Sequence, residues 1–197
     1  MATPQKILIL GAAGSLARVA TERFLRTTDV ELSLYLRNAS RLRALESSRV
    51  RIIEGDVLDE PTLTRAMAGH DVVYANLAGQ MERQAWSVVN AMHAAGIKRL
   101  IFISSMGIYD EVPGEKHGTV LDPYRRSAAV IEASDLDYTI LRPAWFTDDD
   151  AVDYQTTEKG QPFKGAAVSR TSIADLIVKL ALSPQMAIGG SLGVSKP

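Results

Sequence analysis

The chain has 197 residues, of which 46% are hydrophobic and 23% charged, a length and balance that suit one domain with a sizeable core. Its formal net charge of -1 offers no sequence-wide attraction to nucleic acid or to acidic membranes, so neither is expected as a partner. Cysteine is absent, which excludes a disulfide framework, a thiolate metal site and a cysteine nucleophile together and agrees with a reducing, cytoplasmic setting.

Residues Met1–Lys6 lack a cationic segment leading into a long apolar stretch, so no signal peptide is read there. No later stretch approaches the ~18 uncharged apolar residues of a membrane-spanning helix, and a soluble chain is expected. The first apolar run, Ile7–Leu10, suits a buried strand and passes into Gly11-Ala12-Ala13-Gly14-Ser15-Leu16-Ala17. Leu16, Val19, Ala20 and Phe24 then recur at helical spacing. Strand, glycine turn and helix opening in this order form a dinucleotide-binding fingerprint. Gly11 permits the tight turn, Gly14 lets the main chain approach a pyrophosphate, and the amides of Ala13, Ser15 and Leu16 lie where a helix N-terminus presents free donors. Ala17 stands at the third glycine position, a replacement the pattern tolerates.

The second run, Glu31–Leu36, ends at Arg37-Asn38 with no carboxylate. An acid near this point, ~20 residues after the glycine turn, would bind the free ribose hydroxyls of NAD, whereas a cation suits the extra phosphate of NADP. Arg37 therefore favours NADP(H) over NAD(H), through guanidinium hydrogen bonds to phosphate. Arg41 is either a second phosphate ligand or a solvated cation, and Arg43 is read as solvated. Further strand-like runs follow at Val50–Ile53, Asp71–Ala75, Arg99–Ile103 and Tyr138–Leu141. Ala85, Val88, Met92 and Ala95 mark a helix before the fifth strand, and another is expected over Pro123–Ala133. Such alternation predicts an α/β fold of the Rossmann type, doubly wound around a mainly parallel sheet with helices on both faces.

The stretch 143–170 is the least regular and is read as a small substrate-side elaboration of a single domain spanning 1–197. Within it, Trp145 and Phe146 either stack on a planar ligand or belong to the core of this lobe. The last helix starts at Ser169 or Thr171, carries Ile173, Leu176, Ile177 and Leu180 on one face, and stops before Pro184. His70, His93 and His117 are far apart and lack metal-ligand spacing, so no metal is expected. The run Asp148-Asp149-Asp150 is read as a solvated loop or helix start.

Gly11-Ala12-Ala13-Gly14, Arg37, Gly55-Asp56-Val57, Ala75-Asn76-Leu77-Ala78-Gly79, Ser104-Ser105 and Leu141-Arg142-Pro143 occur in the order of the atypical short-chain dehydrogenase/reductases. More narrowly, the chain resembles the small NAD(P)H-binding, NmrA-like group that includes flavin and biliverdin-IXβ reductases. The resemblance implies that Asp56 and Val57 lie along the adenine and that Asn76, Ala78 and Gly79 border the ribose. It places Ser105 at the catalytic serine or threonine, where a hydroxyl polarises a substrate carbonyl; the alternative for Ser105 is a strand cap. Ser104, read as a buried and satisfied hydroxyl, and Pro143 complete the cofactor-lining set.

The family's lysine four residues after its tyrosine is missing: Tyr124 is followed by Arg125, Arg126, Ser127 and Ala128. Tyr124 thus either takes part in catalysis without that partner or anchors the start of its helix. Loss of the acid/base pair argues against alcohol dehydrogenases and sugar-nucleotide epimerases or dehydratases, which move a proton at oxygen. It suits hydride transfer to a planar conjugated acceptor such as a flavin, quinone or linear tetrapyrrole. The competing expectation is a non-catalytic NADP(H)-binding redox sensor of the NmrA type, disfavoured because only about a dozen residues follow Ser183. A small-molecule substrate and a monomer or homodimer are expected.

Overall fold

Leucine, isoleucine and valine crowd β1 (Lys6–Leu10), β2 (Glu31–Leu36), β3 (Val50–Glu54), β4 (Val72–Ala75), β5 (Arg99–Ile103) and β6 (Asp137–Pro143). In the computed structural model, which describes residues 4–197, all six join one sheet in the order β3-β2-β1-β4-β5-β6, each neighbouring pair parallel. This is the doubly wound order, and its topological switch lies between β1 and β4. The N-terminal reading over Met1–Lys6 falls partly outside the described residues.

Helices α1 (Ser15–Thr27) and α5 (Arg170–Leu182) cover one face of the sheet; α2 (Glu60–Met67), α3 (Met81–Ala95) and α4 (Asp122–Glu132) cover the other. Alternation along β1 shows the reason. Ile7 and Ile9 pack with Phe24 of α1 and Ile173 and Ile177 of α5, while Leu8 and Leu10 pack with Leu63, Val88, Met92 and Ile131 on the opposite side. With both faces covered, a strand is apolar at most positions, which is why these strands read as short runs rich in Leu, Ile and Val rather than as alternating ones. Each fully buried Leu or Ile contributes about 1.5–3 kcal/mol relative to exposure.

Local signals set the helix ends. Ser169 is the cap of α5, its Oγ accepting from the Ser172 amide at 3.0 Å, so Thr171 lies inside the helix. Asp59 caps α2 by accepting from Thr62, and α3 stops at Gly96 with φ 72°. Among the described residues no helix is long and apolar enough to cross a membrane.

The stretch 143–170 is more regular than its sequence suggested. It holds β7 (Trp145–Thr147), β8 (Gln155–Thr157) and β9 (Ala167–Ser169); β7 and β9 pair as a separate parallel ribbon. A further strand, β10 (Gly190–Ser195), runs parallel beside β6, and β8 pairs antiparallel on its outer side. No apolar run marks β10, because serine and glycine occupy buried positions there against charged and aromatic neighbours. Gly193 is one of them: a side chain there would collide with Thr157 and the Phe163 ring. Ser191 is another, since its Oγ and carbonyl accept from the fully buried Arg142 of β6 at 3.1 and 3.0 Å. Arg142 also pairs with buried Glu111, which binds the loop after β5 to the sheet.

Candidate functional site

The carboxyl ends of β1, β2 and β4 enclose a groove of about 570 Å³. Gly11 turns the chain out of β1 with φ 72°, and its amide donates to the Tyr35 carbonyl at 3.1 Å. A side chain at Gly11 would strike the Asn76 carbonyl, and one at Gly14 would strike the Asn76 carboxamide. Only glycine lets β1, α1 and the end of β4 approach this closely. Gly14 caps α1 without a side-chain acceptor, and the first turn of α1 carries no acid. The free amides and positive dipole end of α1 therefore remain available to an anion. Ala13 and Gly14 line the groove; the Leu16 side chain is buried in the core, leaving only its backbone for a ligand. Ala17 is fully buried at the contact where the pattern usually has a third glycine.

Across the groove, Arg37 and Arg41 line the rim after β2, and among the described residues neither side chain has a carboxylate or hydrogen-bond partner. Arg43 is exposed and outside the groove. Asp56 and Val57 line the far wall. One Asp56 carboxylate oxygen accepts from the Leu58 amide at 2.9 Å, which orients the side chain in its own turn, while the capping role before Pro61 belongs to Asp59. Beneath them the Tyr35 hydroxyl donates to the Asp56 carbonyl at 2.9 Å. Burial, then the nearby Asp59 and Asp56 charges, push the Tyr35 phenol up to about 12, so it stays a neutral donor. Asn76 and Ala78 line the groove. Gly79 does not; it sits at the entry to α3 with φ 90° and open space around it.

A second hollow, of about 420 Å³ and mainly apolar, opens at the ends of β5 and β6. Ser104, Ser105, Tyr124, Pro143, Trp145 and Phe146 all line it. Trp145 is 70% exposed and Phe146 40%, so neither belongs to the core of the lobe. The Ser105 hydroxyl donates to the Met106 carbonyl at 3.1 Å and is half-buried. Tyr124 stands in the first turn of α4. The position four residues on, Ala128, is fully buried in the core, where no lysine could be accommodated. Arg125 does not substitute for it. Its guanidinium donates to the carbonyls of Ile108 at 3.0 Å and Gly118 at 2.6 Å and pairs with Asp110 and Asp122.

Ser104 departs from its sequence reading. It is buried, but its Oγ has no hydrogen-bond partner among the described residues. Gln84 of α3, which the sequence reading missed, repeats the pattern: its Oε1 is buried without a partner on the wall of the first groove. An unsatisfied buried polar group costs about 1–3 kcal/mol, and such atoms at a groove wall fit a polar ligand that completes them. Arg170 was also missed. Its Nε donates to Ser15 Oγ at 3.3 Å, its guanidinium lies 4.9 Å from the Phe146 ring centre, and it pairs with Asp148. It therefore links the glycine turn to the apolar hollow. The only signal in the sequence was a cation at the start of a helix. Asp149 is likewise occupied, by Lys196.

A glycine turn opening on an uncapped helix at the switch point of a doubly wound sheet defines a Rossmann-type NAD(P)-binding protein. A family model described as NAD(P)H-binding matches residues 11–184. The chain belongs to this NAD(P)H-binding family and fits the NmrA-like group. A Rossmann-fold NAD(P)-binding family protein from Shigella flexneri is 42% identical, with a TM-score of 0.88 over 99% of this chain and 95% of that one. A short-chain dehydrogenase/reductase from Veillonella parvula in complex with NADP is 29% identical, with a TM-score of 0.89 over 99% and 96%. Quinone oxidoreductase 2 of Escherichia coli K12 is 26% identical over 146 residues, 72% of this chain and 49% of that protein. The chain spans about half the length of the curated relatives it matches.

Proposed function

We propose that this protein is an NADPH-dependent reductase of planar conjugated acceptors, a flavin, quinone or similar ring system. One observation carries the reading: an anion-ready glycine turn, with the unpaired Arg37 across it, is linked through Arg170 to an apolar hollow walled by Trp145 and Phe146. Gly11, Ala13 and Gly14 with the amides of Ser15 and Leu16 hold the pyrophosphate, and Arg37 takes the ribose phosphate that distinguishes NADP from NAD. Asp56 and Val57 face the adenine, Asn76 and Ala78 the ribose with Gly79 turning the chain away into α3 just beyond them, and Ser104 and Pro143 the inner end. When bound, the reduced nicotinamide supplies a hydride. Trp145 and Phe146 stack on the acceptor and exclude water, while Ser105 rotates its hydroxyl from Met106 onto an acceptor oxygen as charge develops there. Tyr124 adds a second hydroxyl to the same hollow. The chain acts as one domain spanning 1–197 with 143–170 as its substrate-side lobe, as a cytoplasmic monomer or homodimer. The name of the quinone oxidoreductase relative supports the acceptor class.

NADPH oxidation followed with FMN, a naphthoquinone and biliverdin, alongside calorimetric titration of NADPH and NADH, tests this. Turnover on at least one acceptor and tighter binding of NADPH are expected. Tight NADPH binding with no turnover on any of the three would overturn the enzyme in favour of a redox sensor.

A further inference from the structure

His117, on the loop between β5 and α4, is an ionisable side chain of the apolar hollow to which no role has yet been given; it lines the same walls as Ser105, Tyr124 and Trp145. Its ring rests on Gly107, which has φ 87° and no side chain; a Cβ there would fall onto the ring atoms Cδ2 and Nε2. The loop is thus shaped around an imidazole immediately beyond Ser105. Neither ring nitrogen makes a hydrogen bond to a described residue, and Nε2 is buried, with the Glu115 carboxylate 3.5 Å away as its countercharge. Other charged and titratable groups around the ring are Lys116 of its own loop, Asp110 of the loop after β5, and Tyr124 and Arg125 of α4. Arg125 is committed to Asp110, Asp122 and the carbonyls of Gly107, Ile108 and Gly118, which leaves Glu115 as the carboxylate paired with the ring.

Resting on the reductase reading above, we propose that His117 is the proton donor of the reaction, standing in for the absent lysine-assisted tyrosine. Reduction adds one hydride and one proton to the acceptor. The hydride from reduced nicotinamide forms the new bond, and the electron pair it displaces settles on a carbonyl oxygen or ring nitrogen beside Ser105. The imidazolium N–H gives its proton to that atom, and the neutral imidazole regains one from water at the accessible side of the ring, which is 18% exposed. The balance is NADPH, a proton and the acceptor giving NADP⁺ and the two-electron-reduced acceptor. Imidazole suits this duty because it holds a proton on one ring nitrogen and can release it to a positioned acceptor, the commonest general acid among side chains.

The test compares wild type with His117→Gln and His117→Ala on whichever of FMN, a naphthoquinone or biliverdin the wild type reduces fastest. Expected for His117→Gln are a fall in kcat of about 10²–10⁴-fold, loss of the alkaline limb of the pH profile, and an unchanged NADPH Kd. Added imidazole should restore turnover to His117→Ala. As a measurement on the intact chain, the His117 ring signal of ¹⁵N-histidine-labelled protein, assigned by elimination with His70→Gln and His93→Gln, should shift when acceptor is added with NADP⁺. Retention of kcat and of the pH profile in His117→Gln, or a ring signal that ignores the acceptor, would overturn the donor role and leave the reductase reading standing. A wild type inactive on all three acceptors would remove both.

Discussion

Replacing Glu111 with alanine tests the buried ion pair that holds the loop carrying Ser105 and His117. The Glu111 side chain is 2% exposed and that of Arg142 is fully buried. Glu111 also accepts from the amides of Gly107 at 3.2 Å and Tyr109 at 2.8 Å. Without it, Arg142 keeps its bonds to Ser191 and its place between the rings of Tyr109 and Phe163, 5.1 and 5.5 Å from their centres, but has no countercharge. Leaving one member of a buried pair alone costs about 3–5 kcal/mol. At about 2–4 °C per kcal/mol for a chain of this size, the melting temperature should fall by roughly 6–20 °C. Urea unfolding followed by circular dichroism measures the loss directly. Arg142→Met alone should also destabilise, whereas the double variant replaces a charged core by an apolar one and should lose less than the sum, with a coupling of about 2 kcal/mol or more. A loss below about 1 kcal/mol for Glu111→Ala, or strict additivity in the cycle, would refute the assignment of Glu111 as the essential countercharge.

Arg37→Ala should weaken NADPH binding by about 10- to 150-fold, the worth of a charge-assisted hydrogen bond of 1.5–3 kcal/mol, and leave NADH affinity unchanged in calorimetry; an intact NADPH preference would sink its phosphate role. Ser105→Ala should lower kcat by about 10²-fold through loss of one donor to the developing oxyanion, with NADPH Kd constant in the same titration; an equal loss in binding would mean that Ser105 shapes the loop instead. His70 provides a pH test. Its Nδ1 donates to the Met67 carbonyl at 3.1 Å and its Nε2 shares a hydrogen bond with the Ser33 hydroxyl at 2.8 Å, while burial, the main cause, holds its pKa below the ordinary 6.5 and so favours the neutral ring in the folded protein. The unfolded chain then binds more protons below that value, and stability should fall as the pH drops from 6.5 towards the depressed pKa, by at most about 1.4 kcal/mol per unit. Urea unfolding at several pH values should show a shallower acid slope in His70→Gln; an unchanged slope would refute the neutral role of His70.

Six strands of the sheet and all of its major helices except α2 were legible as alternating apolar runs and helical spacings, because a strand covered on both faces admits little but Leu, Ile and Val. The glycine turn was legible for a similar reason, since Gly11 answers to the backbone carbonyl of Asn76 and Gly14 to its carboxamide, close contacts that a side chain would block. β10 was not, because Ser191 and Gly193 are chosen by Arg142, Thr157 and Phe163, all distant in sequence. The reading of Ser104 as satisfied failed likewise: nothing adjacent in the chain tells whether a buried hydroxyl finds a partner.

What the sequence determined by itself is the scaffold and the kind of ligand it suits. Period and turn chemistry are local, and local steric rules act on neighbours in the chain. The composition of the acceptor hollow was decided only by tertiary structure. Arg170 meets Ser15, and His117 settles on Gly107 beside Ser105 and Tyr124, because β5, β6 and α5 deliver segments distant in sequence to one end of the sheet. Proximity of that kind depends on strand order, which no single segment encodes.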